Sequence, residues 1–202
     1  MKKAGLPERT GYVVLAHCLL NVCAKVDGYG SYSGALKELV LPLIKEGWGI
    51  VQLPCPETTF AGRRRWGQTR DQYDTPAYRR HCRALLEPVL DQLEDDIKNG
   101  VTVLGVVGVE GSPTCGVTKT CIGYLGGVIS DPETISRSVR GCRAVPGPGV
   151  FIRTLQEEWS RRGLSPLPMT GVDSEKPSTC RWSSVKKRLL SACRTEDERE
   201  KD

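Results

Sequence analysis

Nine cysteines in 202 residues pose the first question, because thiolates are both nucleophiles and ligands for soft metals. The count is odd, so the chain cannot pair all of them internally. Three recur in one kind of place, just after an apolar stretch. Cys18 follows Tyr12 to Ala16 through His17, and Cys55 follows Trp48 to Leu53 through Pro54. Cys115 closes the segment Glu110-Gly111-Ser112-Pro113-Thr114, which follows Val101 to Val109. If these stretches are parallel strands, three thiols far apart in the chain meet at one sheet edge. Three chemistries are compatible with such a meeting. Zinc held by three sulfurs and His17 is one, although the chain lacks the close CxxC pairs usual in structural zinc sites. An iron–sulfur cluster with one iron left without a protein ligand is the second. Thiols serving only as small buried hydrophobes are the third.

The elements that must position these residues alternate between strand and helix. The run YVVLA at Tyr12 to Ala16 predicts a buried strand. Apolar residues at Leu36, Leu39, Val40, Leu43 and Ile44 predict a helix within Gly34 to Glu46, stopped by Gly47. Trp48 to Leu53 predicts a second strand. Thr75 to Asn99 reads as a long helix with Thr75 as N-cap and Pro76 at its first position. Val101 to Val109 is almost continuously apolar, as a central parallel strand must be. The glycine-rich Gly111 to Gly127 carries few strong signals. Pro148 to Arg162 predicts a helix, Leu164 to Met169 an edge strand containing two prolines, and Val185 to Cys193 a terminal helix.

This pattern predicts an α/β fold: a single three-layer Rossmann/flavodoxin-like domain, with a mainly parallel sheet of about four strands and flanking helices. Right-handed crossovers put every strand's C-terminal end on one edge, where ligands of such folds bind. We expect residues 1–194 to form one domain and residues 195–202 a charged, frayed tail.

Composition narrows the function. A net charge of +5 from 29 basic and 24 acidic residues is too mild for a dedicated polyanion binder. That disfavours nucleic acid as a partner, although a tRNA thiouridine stays among the possible substrates. No apolar run is long enough to span a membrane. Lys2 and Lys3 precede an apolar stretch as in an export signal, but Glu8, His17 and Asn21 break that pattern. The expectation is a cytoplasmic protein with reduced thiols.

The ordered set of motifs resembles the 2-thiouracil desulfidase (TudS-like) family. That pattern runs CLLG, a Tyr-Asp-Gly at fixed spacing, CPE, then SPSCG. This chain has Cys18-Leu19-Leu20, Asp27-Gly28 at the matching distance, Cys55-Pro56-Glu57, and Ser112-Pro113-Thr114-Cys115-Gly116. The match spans roughly the first 120 residues, in order. It departs at Asn21, at Lys25-Val26 in place of a basic-aromatic pair, and at Arg63-Arg64-Arg65-Trp66-Gly67 after CPE. The chain thus looks like a related subgroup with a longer C-terminal part.

The resemblance implies a [4Fe–4S] cluster held by Cys18, Cys55 and Cys115, with one iron not ligated by protein. It implies hydrolytic removal of sulfur from a small thiocarbonyl substrate such as a thiouracil-like base, a nucleotide or a related thioamide. In that setting Glu57 is the expected general base on water. Ser112 is expected to hold the heterocycle or relay a proton. Each has a plainer reading, Glu57 as a solvated carboxylate and Ser112 as a turn residue. Arg63 to Arg65 read as a solvated face, and Tyr73 and Trp66 as packing residues. The alternative function is a non-catalytic iron–sulfur or zinc module, or a sulfur carrier. A phosphatase loop at Cys18 to Cys23 fails for want of arginine, since Ala24 occupies its place.

Overall fold

The computed structural model describes residues 11–124, 126–128 and 130–197, with the side chains of 193–197 left aside. Its elements in chain order are β1 (Tyr12–Leu15), α1 (His17–Leu20), α2 (Lys37–Lys45), β2 (Gly49–Gln52), α3 (Pro56–Ala61), α4 (Arg70–Tyr73) and α5 (Pro76–Lys98). Then follow β3 (Val103–Val109), β4 (Lys119–Ile122), α6 (Pro132–Val139), β5 (Arg143–Pro146), α7 (Val150–Arg161), β6 (Met169–Val172) and α8 (Trp182–Asp197).

Four strands pair in the order β2-β1-β3-β6, all parallel, giving the predicted three-layer Rossmann-like α/β architecture. The alternation along β1 decides which layer each residue serves. Val13 and Leu15 pack with Leu39 and Leu43 of α2 and with Trp182, Val185 and Leu189 of α8. Tyr12 and Val14 face the other layer, with Leu86, Leu90 and Leu93 of α5 and Phe151, Leu155 and Trp159 of α7. The long helix begins as its sequence predicts, with the Thr75 side chain accepting from the Tyr78 amide at 3.2 Å.

Three expectations are corrected. The edge strand is Met169–Val172 and not Leu164 to Met169. Proline has no amide to donate, so the ladder starts after Pro168, whose carbonyl accepts from Val106 N at 2.8 Å. The glycine-rich stretch contains β4, which pairs antiparallel with β5, and α6 lies between them. Asp131 announces α6 by capping the Thr134 amide at 2.9 Å, ahead of Pro132. Finally, Thr195 to Asp197 of the expected tail belong to α8, whereas residues 198–202 lie outside the described residues. Among the described residues no helix is long and apolar enough to cross a membrane.

Candidate active site

The ends of β1, β2 and β3 each release the chain into a turn that carries one of the three cysteines. Cys18 lies in α1, directly beyond β1. Cys55 is the N-cap of α3, and its sulfur accepts from Thr58 N at 3.5 Å and from Thr58 Oγ1 at 3.3 Å. Cys115 closes the turn after β3. Its amide donates to Ser112 Oγ at 2.9 Å, and its carbonyl accepts from Val109 N at 2.8 Å.

The Cys115 turn is clamped from behind. The first amides of α7 have no partner within their own helix. They find the turn instead: Val150 N donates to the Pro113 carbonyl at 3.0 Å, and Phe151 N and Ile152 N to the Thr114 carbonyl at 3.0 and 3.1 Å. Backbones approach so closely that a Cβ on Gly149 would lie 2.5 Å from the Thr114 carbonyl carbon, and one on Gly108 would lie 2.4 Å from the Cys115 carbonyl oxygen.

The three thiols share one electrostatic environment. Burial pushes the Cys18 thiol up to about 12; Lys25 opposes that rise, while Cys55 and Glu57 add to it. Burial also lifts Cys115 well above the ordinary thiol range, with Cys18 and Cys55 contributing in turn. Among the described residues no three His, Cys, Asp or Glu side chains are grouped to enclose a single metal ion.

Glu57, in the first turn of α3, sits beside them. Its Oε1 accepts from Thr114 Oγ1 at 2.7 Å. Its Oε2 accepts from Arg65 Nε at 3.2 Å and from the Tyr73 hydroxyl at 3.5 Å. The Arg65 side chain is only 3% exposed, so the expected solvated face is corrected at this residue. Arg65 also donates to the Ala24 carbonyl at 2.6 Å and to Thr58 Oγ1 at 3.2 Å, which ties α3 to the loop after α1. Tyr78 is buried against Tyr73, with no hydrogen-bond partner for its hydroxyl among the described residues. Burial raises its pKa first, then the fields of Glu57, Cys82 and Cys115.

Ser112 occupies the turn position its plainer reading expects. Its Oγ accepts from Cys115 N, accepts from Thr114 N at 3.3 Å, and lies 3.3 Å from Thr114 Oγ1. His17 bonds the Leu53 backbone; burial lowers its pKa despite that bond. Arg63 donates to the Cys23 carbonyl. Trp66 is 72% exposed and does not pack as expected, whereas Tyr73 does. Sequence reasoning missed Thr114 and Arg65. Thr114 is adjacent to a proposed ligand, which was the available signal; for Arg65 only its place eight residues after Glu57 could have served.

Residues 12–127 match the family described as "Putative 2-thiouracil desulfurase". The chain belongs to this 2-thiouracil desulfurase family. A protein of Methanocaldococcus jannaschii, described as "Uncharacterized protein MJ0003", is 39% identical over 106 residues, covering 52% of this chain and 67% of that protein. No solved structure matches the chain. The family's name points to an enzyme acting on a small thiobase. The family match ends within the described stretch after β4, so α6, β5, α7, β6 and α8 all lie beyond it.

Proposed function

We propose that this protein is an iron–sulfur-dependent, non-redox desulfidase that hydrolyses the C–S bond of a small thiocarbonyl compound and releases sulfide. The observation that carries the reading is the Glu57 carboxylate held by Thr114, Arg65 and Tyr73 between the Cys55 and Cys115 turns, at the sheet edge where β1 also delivers Cys18. In balance, the thiocarbonyl and water give the carbonyl compound and hydrogen sulfide, with no net electron transfer.

The donor set fits a [4Fe–4S] cluster held by Cys18, Cys55 and Cys115. Three thiols are soft donors suited to iron–sulfur chemistry. Ligands of one tetrahedral zinc would bring sulfurs to roughly 3.8 Å from one another, given a Zn–S bond of about 2.3 Å. A cubane spreads its thiolates further, because each binds a different iron. Thiols that sense one another without closing on a single ion suit the second arrangement better. The unpartnered Tyr78 hydroxyl adds a buried donor beside Glu57 and Cys115 that a guest in the site can satisfy. When bound, the cluster supplies a thiophilic Lewis-acidic iron for the substrate's thione sulfur.

The chain's own residues do the rest. Glu57 Oε1 and Oε2 are held from both sides by Thr114, Arg65 and Tyr73, so the carboxylate has a fixed orientation. A fixed carboxylate can take a proton from water as that water attacks the thiocarbonyl carbon. The same proton then serves the departing sulfur. Thr114 donates its only hydroxyl proton to Glu57, and Ser112 can donate its own to Thr114 Oγ1, which forms a short relay toward the base. Ser112 thereby acts by positioning Thr114 and Cys115. Thiol ligands that must stay reduced support a cytoplasmic setting for this reading. We keep one domain, running through α8, as part of this reading.

The test is anaerobic incubation of the iron-reconstituted protein with 2-thiouracil, following uracil and sulfide together. Equimolar appearance of both is expected. Uracil without sulfide, or a requirement for a stoichiometric reductant, contradicts a hydrolytic step.

A further inference from the structure

Lys25 is not assigned a role by the motifs or by the chemistry above, yet it is one of the most constrained cations in the molecule. Its side chain is only 10% exposed. Its ammonium donates to Ser174 Oγ at 2.8 Å and to Glu175 Oε1 at 2.5 Å, both in the loop after β6. Glu175 is itself fixed, because its other oxygen accepts from Ser31 Oγ at 2.9 Å. The ammonium also stands 5.6 Å from the centre of the Tyr32 ring, and the Tyr32 hydroxyl donates to the Cys18 carbonyl at 2.7 Å. Tyr32 therefore links the cation to the first cysteine turn. An ammonium has three protons to donate. Two are engaged by Ser174 and Glu175, and the third has no hydrogen-bond partner among the described residues.

We propose that Lys25 is a positioning residue of the thiol site, the fixed cation that balances a thiolate-held anionic guest, and that Ser174 and Glu175 hold it in place. The proposal rests on the iron–sulfur reading. A cation this shielded from water is costly unless an anion faces it. Glu175 faces it, but at 40% side-chain exposure water screens that pairing. On the inner side the cation stands over the Tyr32 ring, whose hydroxyl holds the Cys18 carbonyl, and Lys25 is the main favourable charge acting on Cys18. Because Ser174 and Glu175 lie outside the matched 12–127 segment, the C-terminal part of this chain contributes to the electrostatics of a site whose motifs are all N-terminal.

The experiment compares the reconstituted wild-type chain with Lys25→Met, Lys25→Arg and Glu175→Gln, reading the cluster's midpoint potential by anaerobic spectroelectrochemistry. Removing a nearby positive charge makes adding an electron harder, so K25M is expected to shift the potential to a more negative value while iron content stays at the wild-type level. K25R, which keeps the charge, is expected to return it. An unchanged potential in K25M with an intact cluster overturns the proposal. If K25M does not fold, E175Q decides. The proposal expects its potential to fall, because the ammonium is released from the site. A rise, which loss of a neighbouring negative charge alone would give, contradicts it. A wild-type chain that takes up no cluster overturns the underlying reading, and that failure is seen before any variant is made.

Discussion

At the scale of single residues, the Arg65–Glu57 pair bears on both stability and the proposed chemistry. Its guanidinium and carboxylate are shielded from water, at 3% and 13% side-chain exposure. Removing one partner of a buried pair leaves the other charge uncompensated, which costs about 3 kcal/mol or more. Arg65→Ala is therefore expected to lower the urea midpoint strongly, and Arg65→Lys to recover only part of the loss, since lysine cannot reproduce a planar fork of donors. An Arg65→Ala protein as stable as the parent would place this pair outside the fold's essential contacts. Glu57→Gln keeps the size and loses the basicity. It is expected to retain the cluster and lose turnover by roughly 100-fold or more, in the range of general-base catalysis. Thr114→Val removes one hydrogen bond to the base and is expected to slow turnover by about tenfold with KM little changed. Full turnover in Glu57→Gln would remove that residue from the mechanism. The cysteines and Glu57 were legible in the sequence because they sit at strand ends in short fixed motifs. Thr114 and Arg65 act through side-chain bonds across 57 and 8 residues, and such bonds leave no periodicity to read.

At the scale of elements, the Cys115 turn depends on the N-terminus of α7. Gly149→Ala would push a methyl group into the Thr114 carbonyl, where the nearest carbon lies at 2.5 Å. Overpacking against backbone costs about 1–3 kcal/mol. The variant is expected to melt earlier and to hold the cluster less well, measured by thermal denaturation and iron retention. A cluster retained as well as in the parent would show that the clamp does not position Cys115. A second tie joins the α4–α5 junction to α7. Asp74 accepts from both Arg153 and Arg79 at 2.6 Å. Burial raises its pKa, but the two arginines outweigh burial and hold the carboxyl below its ordinary value. A depressed carboxyl stabilises the fold above its unfolded pKa, and that contribution is lost as pH falls through the folded value. The stability gap between the parent and Asp74→Asn is thus expected to be full above about pH 4 and to narrow below it. A gap that does not change between pH 6 and pH 3, about one unit below the reference value, contradicts this. The central strands were legible because burial on both faces makes them continuously apolar. β4, β5 and α6 were not, because β4 is only four residues long with one buried position, and β5 and α6 are largely exposed; Ile135 and Val139 of α6 remain 42% and 47% exposed. Only the Asp131-Pro132 cap betrayed that helix.

At the scale of the whole molecule, the family motifs end before the fold does. β6 pairs with β3 through four residue pairs, and α7 and α8 each cover one face of the sheet. A fragment ending at residue 127 would expose Val106, Val107 and Leu104 that these elements bury. Such a fragment is expected to show no cooperative thermal transition by far-UV circular dichroism, whereas the full chain shows one. A sharply melting fragment would mean that the C-terminal part is an addition and not a component of the core. The class of fold was legible from strand–helix alternation alone. The bonds by which the C-terminal half reaches the N-terminal segment were not, because those of Lys25 with Ser174 and Glu175 span about 150 residues and involve no motif.

The most direct measurement is iron and acid-labile sulfide per chain after anaerobic reconstitution, in the parent and in four single variants. The account predicts about four of each in the parent and in Cys82→Ser, whose thiol is buried in α5, and a loss of cluster in Cys18→Ser, Cys55→Ser and Cys115→Ser. A parent that binds no iron, or any one of those three variants retaining the full complement, contradicts it.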